Sequence, residues 1–124
     1  MVLVDTSVWI SHLNKGNSSL AELLSGGMVA CHPFIIGELA CGRLQNREEI
    51  ISRMQKLFRV EEASHEEILQ FIESHDLMGL GIGLIDVHLL ASALLTGISL
   101  WTYDKKLQTA AGKLRISYVQ EQRG

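Results

Sequence analysis

Apolar residues along this chain fall into two kinds of run: short unbroken ones, and longer ones spaced by three or four. Val2-Leu3-Val4 is of the first kind, as expected of a strand buried on both faces of a sheet. Val8, Trp9 and Leu13, with His12 in the same stretch, form a helix that Asn14 to Gly16 ends. Asn17-Ser18-Ser19 caps a second helix carrying Leu20, Leu23 and Leu24, and Gly26-Gly27 stops it. Met28-Val29-Ala30 reads as a second strand. Pro33 opens the next helix and Gly42 closes it.

Asn46-Arg47-Glu48-Glu49 has the form of a capping box ahead of Ile50, Ile51, Met54 and Leu57. Phe58-Arg59-Val60 is a third strand, and Ser64-His65-Glu66-Glu67 a second capping box leading Ile68, Leu69, Phe71 and Ile72. After a glycine-rich stretch from Gly79 to Gly83, residues 84–96 form a helix apolar nearly all round. Ile98 to Thr102 is a strand, Asp104 caps a short helix to Ala111, and Ile116-Ser117-Tyr118-Val119 is a last strand. Short strands alternating with helices predict an α/β fold with a mainly parallel sheet covered on both faces. With no repeat and no linker, residues 1–124 are expected to form one domain.

Four acids break this pattern where a polar residue is costly. They are Asp5 after Val2-Leu3-Val4, Glu38 in Ile36-Gly37-Glu38-Leu39, Asp86 in Leu84-Ile85-Asp86-Val87, and Asp104 after Trp101-Thr102-Tyr103. Open α/β sheets bind ligands beyond the carboxyl ends of their strands, where Asp5 and Asp104 fall. Glu38 and Asp86 are expected near the N-terminal halves of helices, where partial positive charge favours a carboxylate. Singly, Asp5 and Asp104 could be ordinary helix caps, and Glu38 a solvated side chain. Asp86 resists that: its neighbours at i+3, i+4 and i+7 are Leu89, Leu90 and Ala93, with no Lys or Arg within a turn. Converging carboxylates repel, so a divalent cation is their natural counter-charge. Thr6, Ser7 and Thr102 carry hydroxyls next to these acids, placed either to orient them or to cap helices and turns.

Bulk composition changes this picture little. The net charge is −3, so the molecule as a whole does not attract nucleic acid. Removing the four acids from that count leaves the remainder slightly positive, with Arg43, Lys105, Lys106, Lys113 and Arg115 available as a basic rim. Cys31 and Cys41 do not suggest a disulfide framework, and no second Cys or His pair completes a soft-metal site around His32. Asp5 interrupts the apolar start and no basic segment precedes it, which argues against a signal peptide. Leu77 to Trp101 is apolar, but Asp86 and His88 near its centre argue for a buried helix rather than a membrane span. A cytoplasmic protein is expected.

The acid-bearing segments are recognisable together. Leu3-Val4-Asp5-Thr6-Ser7-Val8-Trp9-Ile10, Ile36-Gly37-Glu38-Leu39, Asp86-Val87-His88-Leu89-Leu90-Ala91-Ser92-Ala93 and Trp101-Thr102-Tyr103-Asp104-Lys105-Lys106-Leu107 resemble the PIN-domain ribonucleases. The likeness is greatest to the small VapC-type toxins of bacterial toxin–antitoxin pairs, and spans essentially the whole chain. It implies a three-layer α/β/α fold and endonucleolytic RNA cleavage with Mg²⁺ or Mn²⁺ at Asp5, Glu38, Asp86 and Asp104. It also implies a homodimer and a protein antitoxin that blocks the site. The rival from another class is a phospho-receiver signalling domain, which shares the length, the layering and an acidic Mg²⁺ pocket. Such a module carries a Lys at the end of its last strand, and Tyr118-Val119-Gln120 supplies none.

Overall fold

The computed structural model describes residues 1–119, so Gln120 lies outside the described residues. Its strands are β1 (Val2–Val4), β2 (Val29–Cys31), β3 (Phe58–Arg59) and β4 (Ser99–Trp101), in one wholly parallel sheet ordered β3-β2-β1-β4. The helices are α1 (Thr6–Lys15), α2 (Ser18–Ser25), α3 (Pro33–Ala40), α4 (Arg47–Gln55), α5 (His65–Ser74), α6 (Leu84–Thr96) and α7 (Lys105–Lys113). The fold is α/β.

Strand order follows from the crossovers. The chain steps outward from β1 to β2 to β3 through α1–α2 and α3–α4, then returns past β1 to β4 through α5–α6. Parallel crossovers are right-handed almost without exception, so reversing direction sends the return helices to the opposite face. Contacts agree: α1 packs on α2 and α3, and α3 on α4, whereas α5 and α7 pack on α6. The reversal occurs between β1 and β4.

All three residues of β1 are buried, as a central strand covered on both faces must be. In α6 every residue from Val87 to Ala93 is buried, which explains a sequence apolar nearly all round. Leu89 and Leu90 are fully enclosed, each stabilising the fold by roughly 1.5–3 kcal/mol. Trp9 and Trp101 are core residues. No helix among the described residues is long and apolar enough to cross a membrane.

Three expectations need correction. The last strand reduces to one parallel bridge, Leu100 to Ser117, flanked by hydrogen bonds from Leu100 N to Ile116 O and from Tyr118 N to Leu100 O. Arg115 just before it takes a left-handed φ of 60°, which bends the chain where a strand would run straight. Asn46 precedes α4 with φ 55° and makes no side-chain cap, because capping needs extended backbone at that position. Glu38 is the sixth of the eight residues of α3, in its C-terminal half, so the helix dipole does not favour its charge.

Candidate active site

Asp5 follows the last residue of β1 and is 7% exposed. It occupies the N-cap position of α1 but makes no side-chain cap. Its Oδ2 instead accepts from the Ser7 hydroxyl at 2.9 Å and the Thr102 hydroxyl at 2.7 Å. Each hydroxyl has one hydrogen and spends it on Asp5, so the 3.3 Å approach of Ser7 Oγ to Thr102 Oγ1 is a by-product of their shared acceptor. Their lone pairs then accept from the β4–α7 turn: Tyr103 N–H donates to Ser7 Oγ at 3.0 Å, and Asp104 N–H to Thr102 Oγ1 at 3.0 Å. Ser7 and Thr102 therefore do both things at once, holding Asp5 and bonding the turn.

Asp104 is a true N-cap, its Oδ1 accepting from Leu107 N–H at 2.9 Å. Asp86, in the first turn of α6, accepts from Gly83 N–H at Oδ2 over 3.2 Å. Glu38, exposed on α3, accepts at Oε1 from the Thr6 hydroxyl at 3.0 Å, which ties it to the residue beside Asp5. Among the described residues, these bonds hold one oxygen of each acid and leave the other uncommitted.

Burial is the main reason the Asp86 carboxyl sits above its ordinary value. The Gly83 N–H works against that, and the charges of Asp5 and Asp104 add to it. Asp5, Asp86 and Asp104 thus share one electrostatic environment, and Glu38 is hydrogen-bonded to Thr6, the residue after Asp5. Among the described residues no three His, Cys, Asp or Glu side chains stand close enough together to grip an ion directly. Four hard oxygen donors, each with a free oxygen, fit a cation that keeps most of its waters, and suit a soft metal poorly.

Lys106 lies across the loop before α6: a Cβ on Gly81 would meet its Cδ at 2.9 Å. The flexible Lys106 side chain can move aside, and it is the φ of 75° at Gly81 that favours glycine there. Lys113 donates to the Asp76 carbonyl, and Arg43, Lys105 and Arg115 are exposed. Sequence reasoning missed the bond from Asn17 Nδ2 to the Tyr103 hydroxyl at 2.7 Å, which ties the α1–α2 turn to the mouth of the site. The available signal was Tyr103 itself, an exposed aromatic between Thr102 and Asp104.

Residues 2–113 match the PIN domain family model. Ribonuclease VapC32 of Mycobacterium tuberculosis, from strains CDC 1551 / Oshkosh and ATCC 25618 / H37Rv, is 38% identical over 122 residues, 98% of each chain. Among solved structures, PAE2754 from Pyrobaculum aerophilum superposes with a TM-score of 0.59 at 16% identity, over 93% of this chain and 88% of that one. FitAcB from Neisseria gonorrhoeae gives 0.59 at 20% identity, over 90% and 94%.

Proposed function

This chain belongs to the PIN-domain family, with a VapC ribonuclease as a full-length relative, and from that premise we propose a divalent-metal-dependent endoribonuclease. It acts as the toxin of a toxin–antitoxin pair, in the cytoplasm where its RNA is found. The observation that carries this reading is the pattern of half-engaged acids: one oxygen of each is held by protein, the other free for a cation or water. A receiver domain would instead need a phospho-accepting Asp ending its third strand, and β3 runs on into Val60-Glu61-Glu62.

Asp5 and Asp86 are the residues to hold the principal ion, Mg²⁺ or Mn²⁺, with Asp104 beside them. When bound, such an ion supplies an acidified water and a counter-charge for the phosphate. Ser7 and Thr102 fix the Asp5 carboxylate, so its geometry does not depend on the ion. Glu38, steadied by Thr6, orients the attacking water or takes its proton. Asp104 carries a second duty as the cap of α7, so Asp104→Asn keeps the helix start while removing the charge.

Purified free of host nucleases, Asp5→Asn and Asp86→Asn fold and lose Mg²⁺-dependent cleavage of RNA. If either cut like the parent, the assignment fails. A homodimer is part of the same proposal, supported by Leu94 and Leu95, which are exposed beside a groove between α5 and α6. Sedimentation at micromolar concentration is expected to give a dimer for the parent and a monomer for Leu95→Glu, with unchanged melting. A parent that sediments only as a monomer would remove the homodimer from the proposal.

A further inference from the structure

On the same edge of the sheet as the acids, at the carboxyl ends of β2 and β3, lies a cavity of about 310 Å³ that none of the four acids lines. Ile36, Met54 and Leu57 give it apolar walls, and His32, Gln55 and Arg59 give it polar ones. That volume is at the small end for ligand sites, the size for one ring system rather than a large molecule.

His32 is 1% exposed, and its Nδ1 accepts from Phe34 N–H at 2.9 Å, so in the neutral ring the hydrogen is on Nε2. Burial keeps the ring neutral, holding its pKa down near about 4. Nε2 is nonetheless buried with no hydrogen-bond partner among the described residues. An orphaned donor of this kind costs stability and calls for an acceptor. The acceptor's source follows from position. Strands lie about 4.8 Å apart, so β2 and β3 end one and two spacings, roughly 5–10 Å, from the end of β1. Gly37 in the cavity wall immediately precedes Glu38.

We propose that this cavity is a nucleobase subsite, taking one unstacked base of single-stranded RNA a nucleotide or two from the bond that is cut. His32 Nε2–H donates to a carbonyl oxygen or ring nitrogen of that base, and Gln55 meets its edge. Proteins that read single-stranded RNA do so by splaying out bases in this way. Arg59 faces the adjoining phosphate, since its 3.3 Å pairing with Glu62 is an exposed bridge, cheap to exchange. The inference rests on the ribonuclease reading above and adds to it the place where sequence preference arises.

Gly37 supplies the test. A Cβ there meets nothing within 4 Å, and the position is interior to α3, so Gly37→Leu favours the helix while filling space beside the cavity. Affinity for short single-stranded RNA is measured by fluorescence anisotropy in the uncut Asp86→Asn background. Gly37→Leu is expected to melt no lower than its parent and to bind RNA about tenfold more weakly. An abasic scan of the RNA is expected to find one position near the cleavage site whose base matters to the parent but not to Gly37→Leu. His32→Asn, which retains a capping side chain for α3, is expected to change the base preferred at that position without moving the cut. Unchanged RNA affinity in Gly37→Leu, or a scan with no sensitive position, overturns the subsite. So does a Gly37→Leu chain that binds RNA normally and loses only a protein partner. If the parent chain with Mg²⁺ cuts no RNA at all, it is the nuclease reading that falls instead.

Discussion

Two ionisable groups, the half-buried Asp86 and the buried His32, pull the stability of this protein in opposite directions with pH. The Asp86 carboxyl is raised above its ordinary 3.8, so the folded chain holds that proton more tightly than the unfolded one. Its ionisation therefore destabilises the fold as pH rises through 3.8 to the raised value, and the penalty persists at neutrality. His32 is lowered from 6.5 to about 4, so the unfolded chain takes up a proton first as pH falls. Stability is lost between those two values and levels off below about 4. In urea melts without divalent ions, Asp86→Asn is expected to be more stable than the parent at pH 7. That advantage should shrink on acidification towards 3.8. His32→Asn should flatten the loss between pH 6.5 and about 4. An Asp86→Asn chain no more stable than the parent at pH 7 would mean that the free acid is not under strain.

At the scale of elements, the two capping-box sequences show what was and was not readable. Ser64 and Glu67 form the reciprocal pair, Ser64 N–H to Glu67 Oε1 at 2.9 Å and Glu67 N–H to Ser64 Oγ at 3.2 Å. The Ser64 N–H, helped by the Ser64 hydroxyl, holds the Glu67 carboxyl below its ordinary value. Ser64→Ala should cost about 1 kcal/mol by chemical denaturation, whereas Asn46→Gly should cost nothing, since Asn46 makes no cap and its φ of 55° suits glycine better. A loss at Asn46 equal to that at Ser64 would count against the cap assignments. The two sequences look alike, and only the backbone arriving from the preceding loop separates them. Strands β1 and β2 were legible because short unbroken apolar runs bounded by turn signals suit buried strands. The segment after Arg115 was not, because its alternation is sound but its pairing stops at Leu100. The acids were legible from their apolar company. Their partners were harder to read: Asn17 and Tyr103 meet across 86 positions, and nothing local signals the orphaned nitrogen of His32.

For the whole molecule, topology determines which acids meet. The strand order reverses direction between β1 and β4, and Asp5 and Asp104 leave the sheet at that switch point, with Asp86 carried there by the helix that returns the chain. Glu38 arrives differently, from the second half of α3, held by the hydroxyl of Thr6 rather than by a helix dipole. On the metal-dependent reading proposed above, ion binding is linked to folding, because only the folded chain brings these acids to one edge of the sheet. An ion that binds the folded state alone stabilises it by about 2.7 kcal/mol at a hundred times its Kd, enough to raise Tm by several degrees. Mg²⁺ or Mn²⁺ should therefore raise the melting temperature of the parent, and a chelator should reverse it. Asp5→Asn and Asp86→Asn should show little or no rise. Ser64→Ala, remote from the acids, should melt lower yet keep the full increment. Equal increments in the parent and both acid variants would place the ion elsewhere on the surface and detach the metal from these four side chains, whatever the chain does to RNA.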